Sequence, residues 1–411
     1  MTNVMTNVLS EPARYLVRPG QDDHRQLERL LTPGYWQKQP AELDGIVMDA
    51  TFAHRMGEPL RSDPIRRAIV DRPIQILVDH QSYRLIDGHR RVVALDTLPY
   101  SRANLCDDDS RGFRSDDFKD SHLVNRFVQA VFDFQRGLSA SDLVAPSFYL
   151  AKPASPWLDV NTALLKESIN QYGTFVYATF CGSLSALEDQ TCLAPIRENA
   201  SGVYVLASPT TARHDSVTKL LRYVEALERL RSSGLCMIAG RQSAFGLVLM
   251  ALGISGFDGG IARIESFDFS SLAREAKSDS TGGSHGGRSR PVYLSKLMTC
   301  IPRSAASKLL AIPGIKSQLN CPGLCCKDNM TDALQAAREH FVWSRLDEVK
   351  ALRELSPVGQ IRHIAEKLAG AHQMAKAVQR LLPTEQWDFE FLDNWSRVVE
   401  VVGARAVRGE T

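Results

Sequence analysis

The 411-residue chain lacks an excess of either charge: 49 basic residues stand against 47 acidic ones, a net of +2 with histidine neutral. That excludes a global footprint for a polyanion, so any nucleic-acid partner would have to meet a local basic surface. No apolar run approaches the roughly 18 residues of a membrane-spanning helix. The opening stretch, MTNVMTNVLSEPARYL, has no basic segment followed by an apolar one, so no secretory signal is expected and the chain reads as cytoplasmic. A repeat of solenoid length is also missing. Of the eight cysteines, Cys106, Cys181, Cys192, Cys236 and Cys300 stand singly, which is no disulfide framework and suits a reducing compartment. What remains is an ordinary globular composition, 44% hydrophobic and 23% charged, in a chain long enough to bury a large core without cross-links.

In place of long apolar runs there are short ones: Gly45–Ala50, Ile74–Asp79, Leu143–Leu150, Thr174–Phe180, Gly202–Ala207, Leu235–Ala239, Ile254–Asp258 and Val292–Leu297. Near-continuous hydrophobic runs of this length suit parallel strands covered on both faces. Between them, Asp120–Leu138 and Ser216–Ser232 carry apolar residues at three- and four-residue spacings, the period of a helix. Strand and helix in alternation predict βα units. Eight candidate strands predict a (β/α)8 TIM-like barrel over residues 1–300, with an open doubly wound sheet as the alternative. A Gly- and Ser-rich insertion at 273–290 reads as a long loop, either solvated or covering a substrate. Residues 301–411 read as a C-terminal subdomain, with a cysteine cluster followed by helical patterns over Asp332–Leu382 and Trp387–Val402.

Barrel active sites lie at the C-terminal ends of the strands. Two strand-end carboxylates therefore stand out. Asp258 is followed by Gly259 and Gly260, which let a ligand approach the backbone, and Gly240 ends the preceding strand. Asp258 is a candidate nucleophile. Asp79, flanked by His80, is a candidate general acid or base. Either aspartate could instead serve a turn. Cys321, Cys325 and Cys326, with His340 downstream, offer the ligand types of structural zinc, with Cys300 a further donor; the alternative is half-buried thiols and a histidine packed beside Ala337 and Phe341. From Ser280 to Lys327 there is no acid, while Arg288, Arg290, Lys296, Arg303, Lys308, Lys316 and Lys327 are basic. Such a segment would neutralise phosphates of tRNA or DNA, unless acids elsewhere balance it in space. The balanced charges of the C-terminal helices would suit a protein partner or a second copy of the chain.

Two family resemblances follow. Gly234–Arg263, GLCMIAGRQSAFGLVLMALGISGFDGGIAR, resembles the penultimate strand region of the queuine/guanine tRNA transglycosylases, which have DNA-modifying relatives on the same barrel. The resemblance implies that Asp258 is the nucleophile of a base exchange. ILVDHQSY resembles another strand of that family and implies that Asp79 is its general acid/base. SGVYVLAS resembles the strand whose backbone contacts the base, with Gly202 the retained glycine. The cluster of Cys321, Cys325, Cys326 and His340 then resembles the family's zinc subdomain. The chain departs from the pattern in carrying His80-Gln81-Ser82-Tyr83 where the family has two glycines, and Gly259 where it has cysteine. Separately, YRLIDGHRRVVAL within residues 73–98 resembles the arginine-bearing box of ParB-type nucleotide- and DNA-binding domains, which implies a phosphate at Arg90 and Arg91.

Overall fold

A computed structural model describes residues 13–20, 23, 26, 28–29, 43–56, 74–89, 93–106, 112–173, 175–261, 266–272, 290–319 and 331–408. Among the described residues seven strands form one sheet: β1 (Arg14–Arg18), β2 (Gly45–Asp49), β3 (Gln75–Asp79), β4 (Tyr177–Ser183), β5 (Gly202–Ser208), β6 (Cys236–Ala239) and β7 (Gly256–Gly260). Their spatial order is β3-β2-β1-β7-β6-β5-β4, and every pairing is parallel. This is a cyclic order with one break, between β3 and β4.

Across that break lies 143–150, which was expected to be a strand. It is instead an irregular extended segment bonded to both neighbours. On one side Ser141 N–H donates to the Ile76 carbonyl at 3.1 Å, and Ser147 N–H to the Ser82 hydroxyl at 3.1 Å. On the other, Ala145 N–H donates to the Tyr177 carbonyl, and Leu150 N–H to that of Cys181, at 2.8 and 2.9 Å. Pro146 supplies no amide hydrogen, which is one reason a regular ladder does not run through the segment. The sheet is therefore curled, and its two edges are tied together by this seam.

Curling divides the apolar residues between two cores. Leu16, Val47, Leu77, Tyr177, Cys181, Tyr204, Leu206 and Ile238 point inward and pack on one another. Their alternating neighbours, among them Val17, Ile46, Val78, Phe180, Val205 and Met237, join the larger core outside the sheet. That core is covered by helices including α1 (Ser121–Gly137), α2 (Trp157–Tyr172), α3 (Val217–Arg231) and α4 (Phe245–Ala251). Burial on both faces explains why these strands read as unbroken hydrophobic runs.

Two expectations changed. β1, RYLVR, went unpredicted, because three apolar residues between arginines give too short a signal. Val292–Leu297 does not enter the sheet: β8 (Val292–Leu294) forms an antiparallel hairpin with β9 (Thr299–Ile301). The C-terminal pattern is helical as expected, with α5 (Ala337–Arg353), α6 (Pro357–Leu381) and α7 (Glu390–Arg408). α5 packs on β1, while α6 and α7 pack on each other and on the covering helices α3 and α4. Arg353 of α5 donates to the Ala13 carbonyl at 2.7 Å and pairs with Asp44, and Trp395 of α7 donates to the Ala212 carbonyl at 2.9 Å.

Two glycines make opposite predictions. A Cβ at Gly246 in α4 would stand 2.1 Å from the Phe257 ring on β7, so helix and sheet are in contact there. A Cβ at Gly370 in α6 would meet nothing within 4 Å. Gly246→Ala should destabilise the fold by at least about 1–3 kcal/mol, whereas Gly370→Ala should stabilise it by about 0.5–1 kcal/mol. Urea denaturation of the two variants checks both signs.

Candidate functional site

Along β1, β2 and β3 the inward positions are apolar near the N-terminal end and polar near the C-terminal end. On β1, Leu16 is followed inward by Arg18; on β2, Val47 by Asp49; on β3, Leu77 by Asp79. Strand register sets Asp49 directly beside Asp79 and places Asp258 of β7 beside Leu16. Three aspartates are thus directed into one small space, where like charges repel. Arg18 resolves the conflict. Its Nη1 pairs with Asp49 and lies 3.1 Å from Asp79 Oδ2, while Nε donates to Asp258 Oδ1 at 2.7 Å and Nη2 lies 3.2 Å from Asp258 Oδ2. The same Nη2 donates to the Tyr204 hydroxyl, which donates in turn to Asp258 Oδ2 at 2.7 Å.

Arg241 follows the end of β6 and adds a second guanidinium, 3.1 Å from Asp49 and 3.5 Å from Asp79. Its backbone is left-handed, with φ 57°, and so is that of Gln81 after β3, with φ 56°. Side chains rarely adopt this conformation, at a cost of about 1–3 kcal/mol per residue, and such strain collects at functional sites. At Gln81 the conformation lets the backbone N–H reach Asp79 Oδ1 at 3.2 Å, while the side-chain oxygen accepts from the Thr51 hydroxyl at 2.8 Å. Tyr83 donates to Asp79 Oδ2 at 3.1 Å.

Burial and charge set the titration of the cluster. Burial alone would lower the Arg18 pKa, but Asp258, Tyr204, Asp49 and Asp79 outweigh it and hold the guanidinium charged. For Asp49 burial raises the pKa, yet Arg241 and then Arg18 prevail and hold the carboxyl below its ordinary value. Burial pushes the phenols of Tyr204 and Tyr83 well up, so both remain hydrogen-bond donors. Burial lowers the His80 pKa to about 4, against a smaller opposing pull from Asp79. The Nδ1 of His80 accepts from Ser82 N–H at 3.1 Å, so Nε2 carries the proton, which it directs at the Ala145 carbonyl, 3.1 Å away. A neutral histidine therefore ties β3 to the seam.

The expected site residues fall into distinct groups. Asp79 and Asp258, 179 positions apart, come together on one guanidinium. Gly240 belongs with them: a Cβ there would stand 2.6 Å from Leu206 and 2.8 Å from the Tyr204 hydroxyl, so only glycine lets Tyr204 reach Arg18. Gly260 pairs with Arg18 on β1. Gly259 points away, toward the Gln242 carbonyl, and Gly202 opens β5 at the far end of the strand, against the Tyr177 ring. Arg290 lies 3.8 Å from Asp23, and Lys308 2.6 Å from Glu385, so part of the basic segment is balanced by acids. Arg288, Arg90, Arg91, Cys321, Cys325 and Cys326 lie outside the described residues. His340 is buried on α5, its Nε2 2.8 Å from the Tyr293 carbonyl, and Cys300 lies on β9 with its thiol pushed up to about 12 by burial.

Sequence reasoning missed Arg18, Asp49, Tyr204 and Arg241. Asp49 ends a predicted strand just as Asp79 does, and Arg241 follows Gly240 at another strand end; both signals were present. Arg18 and Tyr204 carried none, since an arginine after an unrecognised strand and a tyrosine within an apolar run look unremarkable. Compared with known protein families and with curated proteins, the sequence matches none.

Chemically, the mouth offers three carboxylates on a shared cation and a phenol that can follow charge on Asp258. The segment Phe267–Leu272 lies across it, held by paired backbone bonds between Thr210 and Phe267 at 2.9 and 3.0 Å. The side chains of Asp49 and Arg241 retain 21% and 14% exposure, so the cluster is reached from their side.

Arg18→Met should cost about 3–5 kcal/mol, because it strands carboxylates that were buried against a cation; thermal or urea unfolding reads this directly. His80 should give a pH signature. Its folded pKa of about 4 lies below its ordinary 6.5, so the unfolded chain takes up the proton first as pH falls. The resulting stability is full above pH 6.5 and is lost as pH falls toward 4, by roughly 3 kcal/mol. His80→Gln should remove this dependence, so the wild-type minus variant difference in unfolding free energy should fall by roughly 3 kcal/mol as pH is lowered across that window.

Proposed function

We propose that the chain is a nucleic-acid base-modifying enzyme that exchanges bases as the guanine transglycosylases do. The observation that carries this reading is the convergence of Asp79 and Asp258 on Arg18 at the C-terminal ends of parallel strands. An Asp258 oxygen attacks the anomeric carbon, the glycosidic C–N bond breaks, and its electron pair leaves with the base, which takes a proton from Asp79. The incoming base gives a proton back to Asp79 and displaces Asp258 from the sugar. Arg18 and Tyr204 orient Asp258 and balance its charge before attack and after release. The base would enter out of its stack, with tRNA or DNA carried by the basic segment 288–327.

In this reading the seam 143–150 is the eighth stave of a divergent (β/α)8 barrel. A structural zinc would be held by Cys321, Cys325, Cys326 and His340. His340 has its Nε2 directed at the Tyr293 carbonyl, the kind of outer-shell bond that orients a ligating histidine.

A second reading rests on a specific observation: both oxygens of Asp258 are engaged, by Arg18 and Tyr204. A carboxylate so engaged also suits a non-catalytic barrel that binds a protein partner or a second copy through α5–α7.

Incorporation of labelled guanine into tRNA and DNA separates the two. The wild type should exchange base into one of them, and Asp258→Asn should lower the rate at least about 1,000-fold, with Asp79→Asn lowering it as well. Absence of exchange into either nucleic acid by a folded wild type would rule out the enzyme reading.

A further inference from the structure

The segment across the mouth carries two aromatic rings. Phe267 packs edge-on against Tyr83, centroids 5.6 Å apart at 85°, and Tyr83 is bonded to Asp79. Two residues on, Phe269 lies flat on Tyr149, with centroids 3.8 Å apart and 7° between planes. The His89 ring leans on the same Phe269 ring, with centroids 4.4 Å apart and 48° between planes. Rings in proteins usually meet edge-on or offset with centroids about 4.5–7 Å apart. The Tyr149–Phe269 separation is nearer the ~3.4 Å rise between stacked base pairs.

Phe269 is only half-buried and sits on a four-residue turn, Phe269–Leu272. Its backbone N–H is held by the Ser208 hydroxyl at 2.8 Å. Tyr149, by contrast, belongs to the seam and is anchored by the adjacent bonds of Leu150 to β4. One wall of the ring stack is fixed in the barrel, and the ring on it is carried by a short surface turn.

We propose that the Tyr149 ring is the flat wall of a slot for a nucleobase, with the tilted His89 ring at its border, and that Phe269 fills this slot. The slot rests on the ring geometry; the choice of a nucleobase among planar rings rests on the base-exchange reading. The occupying ring stands two residues after Phe267, whose own ring packs on the Tyr83 that is bonded to Asp79. Every base presents a π-face, so stacking on Tyr149 would give affinity with little discrimination. Discrimination would fall to the polar groups of the mouth.

The test is calorimetric titration of guanine, adenine and cytosine into wild type, Phe269→Ala, Phe269→Leu and the Phe269→Ala/Tyr149→Ala double variant, with circular dichroism to establish folding. Phe269→Ala should bind at least one base about 10-fold or more tighter than wild type, and the double variant should lose the gain. Phe269→Leu keeps apolar bulk on the turn but gives up the flat ring. It should show a smaller gain in the same direction, and it carries the test if the alanine variant does not fold. A folded Phe269 variant that binds no base more tightly, or a gain that survives loss of Tyr149, overturns the slot. Tighter base binding by a protein that exchanges no base would keep the slot and discard the catalysis. Exchange activity indifferent to Phe269 would do the reverse.

Discussion

A single buried guanidinium organises this molecule. Arg18 is 4% exposed, and an arginine so placed has to find acceptors inside the protein. It finds them on β2, β3, β5 and β7, which together span most of the sheet. The arrangement of strands around β1 is thus written twice, once in the backbone ladder and again in a set of charge-assisted hydrogen bonds. Buried ion pairs contribute little net stability once desolvation is counted, and their better-attested use is to specify one arrangement over others. Here the arrangement specified is the one that sets Asp79 next to Asp258.

The mouth departs from ideal geometry where the polar groups meet. Left-handed backbone at Gln81 and Arg241 and the close approach at Gly240 all occur within the few residues that end β3 and β6. Below them the inward residues are apolar and well packed. The lower layer holds the curled sheet together and leaves the upper layer free to carry strain, the division expected where a scaffold positions a site.

How much of this was legible depended on whether the signal was local. β2, β3, β5, β6 and β7 appeared as apolar runs because both faces of each strand are buried. The carboxylates at their ends were legible for the same reason, since a charge at the end of such a run has few places to go. β1 was hidden by its brevity. Leu143–Leu150 was found as a strand-like run, but its irregularity depends on how β3 and β4 approach it, which no window of eight residues contains. That Asp79 and Asp258 face one mouth was expected from their strand ends, but their bridging by Arg18 was illegible, since it follows from the β1–β7 pairing of segments about 240 residues apart.

That pairing bears on how the chain is made. β1 is an interior strand whose second neighbour, β7, lies near residue 258, so it is synthesised long before it can be completed. Until then β1 is left as an open edge of the sheet, with an arginine lacking its Asp258 partner. Contacts this distant in sequence slow folding, and open edges recruit other chains. The nascent chain should therefore depend on chaperones until the ribosome has passed β7, and truncations ending before Gly256 should aggregate rather than form a smaller stable domain.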